Sequence, residues 1–432
     1  MFNKVDEWSR RNFMVNSARS FLGVSILPML AKDADAADSL KKTFVPKRPK
    51  AAKSVIFLNM NGGMSHLDTF DPKDKSDYMG ETKALQTNAD DVRLGHWLPK
   101  MAEHGDKIVP VNSMSTLQGA HRQGQYILHR SYAPRGTIVH PVLGSWVLRL
   151  SGKRNSTIPG FVHVGSRDGT SSSGYLGPKF AAVPVGSAGA GIEDSTLPGG
   201  VSESDFDRRL RLAESMNKRF KEQFDHKQVQ GYENLYRDAI KLMKAEDLKA
   251  FDISAEPADV VEEYGPTRFG QGCLLARRLI EHDVRFVEVN MGGWDTHYDN
   301  FTRMEEQCAE LDAGFSALLN DLDRRGLLDE TVVALGTEFG RTPKIVPHHQ
   351  DGRDHYPKAF SHVLAGGGIR GGQTYGRTNS TGEEVDDKPV TPQSFNATIA
   401  HALGLPLDLE IFSPTGRPFT VADGAKPLTS VF

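Results

Sequence analysis

Five short apolar runs, set far apart in the chain, constrain its fold more than any other feature. They are Ser54–Met60, which empties into Asn61-Gly62-Gly63; Ile108–Val111; Val284–Asn290, ahead of Gly292-Gly293; Thr331–Gly336; and Phe360–Ala365, ahead of Gly366-Gly367-Gly368. Runs this short, bounded by turn residues, read as strands buried on both faces, the condition met in a parallel sheet covered by helices. Helical patterns lie between them. Met304, Cys308, Leu311, Phe315, Leu318 and Leu322 recur at spacings of 4, 3, 4, 3 and 4, one apolar helical stripe, and Arg268–His282 reads as another helix. The expected class is α/β, with a mainly parallel central sheet and helices on both faces.

The first residues read as an address. Ser9-Arg10-Arg11-Asn12-Phe13-Met14 precedes an apolar stretch, Phe21–Leu30, and then Ala34-Asp35-Ala36. That stretch is too short to cross about 30 Å of hydrocarbon and ends in small residues. It is read as a twin-arginine export signal over residues 1–36, followed by a basic linker over 37–53. Residues 54–432 then form a single domain with a loop and helical insertion at about 165–265. Export by the twin-arginine machinery makes the expected location periplasmic or extracellular. No later apolar run is long enough to span a membrane. Cleavage near Ala36 removes five basic and four acidic residues and takes the net charge from −3 to −4, which gives no electrostatic case for nucleic acid. Two cysteines cannot make a disulfide framework.

Ligands of open α/β sheets bind beyond the carboxyl ends of the strands. The segments there are rich in Asp, Glu and His: Ser65-His66-Leu67-Asp68 after the first run, Ser115-Thr116 to His121-Arg122 after the second, and Asp295-Thr296-His297 after the third. Glu338 to Arg341 follow the fourth, and Arg353-Asp354-His355 stand before the fifth. Carboxylates and imidazoles without cysteine suit a divalent metal (Zn, Mn or Ca). The candidate ligands are Asp68, Asp295, His297, Glu338, Asp354 and His355. Ser115 or Thr116, ahead of a helix beginning near Gly119, are candidate nucleophiles, or merely helix caps, with His121 beside them. Arg122, Arg341 and Ser65 are the candidates for holding an anionic substrate.

The motifs Ser65-His66-Leu67-Asp68-Thr69-Phe70-Asp71-Pro72, Gly292-Gly293-Trp294-Asp295-Thr296-His297, Thr337-Glu338-Phe339-Gly340-Arg341-Thr342-Pro343 and Gly352-Arg353-Asp354-His355 resemble the bacterial domain-of-unknown-function family numbered 1501. The resemblance covers essentially the whole mature chain and implies an alkaline phosphatase/sulfatase-like fold. It would make Asp295 and His297 a metal pair, His355 a late metal-binding histidine and Asp68 the first-strand carboxylate. Phe339 stands where relatives carry a histidine. The expected function is an exported metal-dependent hydrolase of sulfate or phosphate esters on a small molecule or glycan. The alternatives are a non-catalytic envelope binding or assembly protein on the same scaffold and a carbohydrate-processing accessory protein.

Overall fold

The computed structural model describes residues 51–165, 172–190, 202, 204–212, 215 and 246–432. The segment expected to be an export signal, most of the expected linker and much of the expected 165–265 insertion lie outside the described residues. So does most of the stretch Ser204–Lys249, read from sequence as two helices.

Seven strands form the central sheet: β1 (Ser54–Met60), β2 (Ile108–Met114), β3 (Phe161–Val164), β4 (Val183–Val185), β5 (Phe286–Met291), β6 (Thr331–Gly336) and β7 (Phe360–Gly366). Their order across the sheet is β2-β7-β6-β1-β5-β3-β4. β1 is central, fully buried, and parallel to β5 on one side and β6 on the other. All five apolar runs are strands. β3 and β4 were not anticipated: they are four and three residues long, and β4 contains Pro184, which hides a strand pattern.

One strand departs from the parallel set. β7 runs antiparallel to both β6 and β2. Its glycine turn, Gly366–Gly368, therefore lies at the end of the sheet away from the candidate residues. The segment before β7 is delivered to the functional end instead.

Alternate residues of β1 feed two cores. Ile56, Leu58 and Met60 pack on one face with α4 (Arg268–Glu281) and α5 (Asn300–Arg324). Val55 and Phe57 face α1 (His121–Arg130), α2 (Leu143–Ser151) and α6 (Pro392–Ala402). A further helix, α3 (Ala258–Tyr264), sits beside α4 and α5. The stripe from Met304 to Leu322 is buried along α5, and Cys273 and Cys308 are unpaired core residues. Helix ends are fixed locally. Thr267 caps α4 by accepting from Gly270 N–H, and Thr391 caps α6 by accepting from Ser394 N–H. Among the described residues no helix is long and apolar enough to cross a membrane.

Two of the fully buried histidines sit against backbone carbonyls. His66 Nε2 is 2.8 Å from Gly382 O, and His362 Nε2 is 2.8 Å from Thr337 O. Burial lowers each pKa to about 4. The unfolded rings titrate near 6.5, so between these values the unfolded state binds protons that the native state does not. Their stabilising contribution is complete above pH 6.5 and is lost as pH falls towards 4. We expect about 2 kcal/mol lost per ring between pH 6.5 and 5. Thermal midpoints measured across that range should fall steadily; an unchanged midpoint would mean that neither ring is buried neutral.

Candidate metal centre

The carboxyl ends of β1, β5 and β6, the start of α1 and the segment before β7 meet at one place. Two glycines make the approach possible. Gly62, at φ +125°, lies so close to the Trp294–Asp295 backbone that a Cβ would fall 2.6 Å from Asp295 N. A Cβ on Gly352 would fall 1.7 Å from His297 O. These close contacts bring the loop after β5 against the turn after β1 and against the segment 349–357.

Three imidazoles converge on one carboxylate oxygen. Asp295 Oδ1 is 3.1 Å from His297 Nε2, 3.3 Å from His355 Nε2 and 3.4 Å from His121 Nε2. One donor atom each from His121, Asp295 and His355 forms a set within 4.8 Å of one another. His297 Nε2 is 3.0 Å from His355 Nε2.

The other nitrogen of each ring fixes its tautomer. His121 Nδ1 is 2.7 Å from Glu338 Oε1, His297 Nδ1 is 2.8 Å from Asp354 Oδ1, and His355 Nδ1 is 2.8 Å from Gly119 O. Carboxylates and carbonyls only accept, so each Nδ1 carries the proton and donates. In the neutral rings the unprotonated Nε2 atoms then lie 3.1–3.4 Å from one anionic oxygen, those of His297 and His355 3.0 Å from each other. Such an arrangement calls for a cation. His121 Nε2 is buried without a hydrogen-bond partner, as a ligand awaiting its ion would be. Outward Nδ1–H donation is also how metal-binding histidines are oriented. Three nitrogens and one oxygen suit Zn, and Mn next; Ca prefers six to eight oxygens and fits poorly.

Each partner shifts its neighbour. The Glu338 hydrogen bond outweighs burial and raises the His121 pKa. Burial lowers that of His355. At Asp295 burial acts upward, but the hydrogen bond and charge of Arg341 prevail and hold the carboxyl below its usual range.

His121, expected beside a nucleophile, stands in the cluster with its Nε2 3.4 Å from Asp295 Oδ1. Glu338 and Asp354, expected as ligands, instead sit behind His121 and His297. Glu338 is buried and also accepts from Gly62 N at 3.0 Å and Gln125 Nε2 at 2.9 Å, which leaves it committed. Asp68 does not face the cluster. Its oxygens accept from Ser65 Oγ (2.6 Å), Thr82 Oγ1 (2.6 Å) and Asn300 Nδ2 (3.1 Å), with Arg353 Nε 2.9 Å away. Burial opposes this carboxylate, yet Arg353 and these donors keep its pKa low. Ser65 is consumed by the same knot. Arg341 is fully buried and holds Asp295, so it cannot reach a substrate. Arg122 is exposed in the first turn of α1. Ser115 and Thr116 are half-buried, their backbone N–H groups bonded to Val390 O and Pro357 O, and neither hydroxyl is bonded to the cluster. Gln125 and Arg353 were missed as site residues. The i, i+4 spacing of His121 and Gln125 on α1 was the available signal for Gln125.

A strand-end cluster of three histidines and one carboxylate on a mainly parallel α/β sheet defines a candidate metalloprotein. The profile of the family described as "Protein of unknown function (DUF1501)" matches residues 52–432, and the chain belongs to that family. A search of curated proteins finds no match. Among solved structures the chain is similar to the lipoteichoic acid synthase LtaP from Listeria monocytogenes, with 10% identity, TM-score 0.39 and coverage of 95% of this chain and 80% of that one. It is also similar to the PsFucS1 sulfatase from Pseudoalteromonas sp. (10% identity, TM-score 0.39, 87% and 73%). A third is the alkaline phosphatase from the Antarctic bacterium TAB5 (10% identity, TM-score 0.36, 82% and 99%).

These assignments separate by mutation. His121→Ala and Asp295→Asn should each sharply lower bound metal. Glu338→Gln should weaken metal affinity about 10- to 100-fold through His121. Asp68→Asn should keep the metal but cost about 3–5 kcal/mol, because it leaves Arg353 as a buried unpaired charge. Metal content and denaturant unfolding of the four variants check this; loss of metal in Asp68→Asn with normal binding in His121→Ala would reverse the assignment.

Proposed function

We propose that this chain is an exported metal-dependent hydrolase acting on sulfate or phosphate esters. The observation that carries the reading is the convergence of three Nε2 atoms on Asp295 Oδ1 with every Nδ1 turned outward. A divalent ion held by His121, His297, His355 and Asp295 would supply Lewis-acid activation of water and charge stabilisation at the ester. The chain's own residues do the rest. Glu338 and Asp354 keep two rings in the binding tautomer. Gln125 keeps Glu338 in place. Arg122, exposed in the first turn of α1, is proposed to meet an incoming anion, where the helix N-terminus adds a favourable potential.

The rival reading is a metal-holding envelope protein without turnover. It is favoured by one observation: among the described residues, the hydroxyls of the expected nucleophiles Ser115 and Thr116 make no bond to the cluster. Water is the nucleophile in the hydrolase reading.

Purified mature protein should hydrolyse aryl sulfate or aryl phosphate esters, lose that activity on chelation and regain it with Zn²⁺ or Mn²⁺. Bound metal with no turnover across the ester panel favours the rival. For export, changing Arg10 and Arg11 together to Lys should retain the precursor in the cytoplasm. Unimpaired passage of the double-Lys form would argue against a twin-arginine signal.

A further inference from the structure

Of the four candidate carboxylates at the strand ends, Glu338 and Asp354 accept from His121 Nδ1 and His297 Nδ1, and the other two, Asp295 and Asp68, are each met by a buried guanidinium. Arg341 bonds Asp295 Oδ1. Arg353 stands with Nε 2.9 Å from Asp68 Oδ2 and Nη2 3.3 Å from Oδ1. Both arginines are fully buried and come from one stretch of chain. Arg341 lies in a two-stranded ribbon, Gly340–Arg341 against His355–Tyr356, and Arg353 lies just before its second strand.

Neither guanidinium is free to leave. Arg341 also donates to the carbonyls of Gly63 (2.9 Å), Arg353 (3.2 Å) and Gly62. Arg353 donates to Tyr78 O (2.7 Å), Thr342 O (3.1 Å) and Pro343 O. Swinging either away would strand several buried donors and the carbonyls that face them. Asp68, with Ser65, Thr82 and Asn300 on it as well, has its lone pairs filled. Asp295 differs. Its Oδ1 is held from behind by Arg341 but still faces three imidazole nitrogens.

We infer that the centre is mononuclear: it takes one divalent ion on His121, His297, His355 and Asp295, and the guanidiniums of Arg341 and Arg353 are fixed cations that deny a second metal its carboxylates. This rests on the metal-centre reading above and adds its stoichiometry. Arg341 is then a positioning residue. It touches no substrate, and it sets where Asp295 Oδ1 stands while lowering the net negative charge beside the ion.

The test is titration of metal-stripped mature protein with Zn²⁺ and, separately, Co²⁺, following metal per chain and the visible Co²⁺ spectrum. The inference expects one equivalent at saturation and a four-coordinate Co²⁺ spectrum. Asp68→Asn should still take one equivalent with the parental spectrum. Arg341→Lys, which keeps the charge but loses the planar fork, should take one ion about 10- to 100-fold more weakly and shift the Co²⁺ bands, as Asp295 moves. Two equivalents in the parent, or a changed Co²⁺ spectrum in folded Asp68→Asn, overturns the inference while leaving a metal centre. No ion bound by the parent overturns the metal-centre reading itself. If Arg341→Lys does not fold, the parental stoichiometry alone decides.

Discussion

The Arg341 guanidinium is the tie on which the functional end of this sheet depends. It gathers the Gly62 and Gly63 carbonyls after β1, the Asp295 carboxylate after β5 and the Arg353 carbonyl ahead of β7. Without it the Gly62 and Gly63 carbonyls would lose the side-chain donor that they share. A planar group with five N–H donors in a fixed fork answers that problem, and a lysine could not. Glu338 complements it on the far side of the same turn by accepting from Gly62 N. The Gly62 amide and carbonyl are thus held by opposite charges, which fixes the turn against which Asp295 packs.

Seen this way, the centre is built in two layers with different duties. The inner atoms are three imidazole nitrogens and one carboxylate oxygen, partly open to solvent. The outer atoms are Glu338, Asp354 and the Gly119 carbonyl, each accepting one Nδ1 proton. A neutral histidine can present a lone pair on either nitrogen, and the outer acceptors choose which. They therefore determine that the donor set exists at all. Glu338 is the most strongly committed of them, because burial and four separate partners leave it no other conformation.

Much of the sheet was legible in the sequence because burial on both faces leaves an unmistakable apolar run. β3 and β4 were not, being too short and, in β4, broken by Pro184. Strand direction was not legible either: the run Phe360–Ala365 looks the same whichever way it points, so the antiparallel β7 emerged only from its pairing. Which residues collect at the site was largely readable, since polar groups after parallel strands share one end of the sheet. Their division of labour was not. Asp68 and Asp295 are equivalent as letters, and only their three-dimensional neighbours, distant in sequence, make one a sealed charge and leave the other facing three imidazole nitrogens. The pairing of His121 with Glu338 was not readable, because nothing local to residues 115–122 reveals Glu338, 217 positions away.

The wide separation of the donors in the chain has a consequence for the order in which the protein matures. His121, the Asp295–His297 loop and His355 are brought together only by strands from both halves of the sequence, and the last of them is synthesised after about four-fifths of the chain. No fragment released earlier contains the full set. An ion that needs all four donors can recognise only a polypeptide whose sheet has closed and whose reversed strand is seated. Its capture would therefore mark completion, and the binding free energy would be added to the folded state alone.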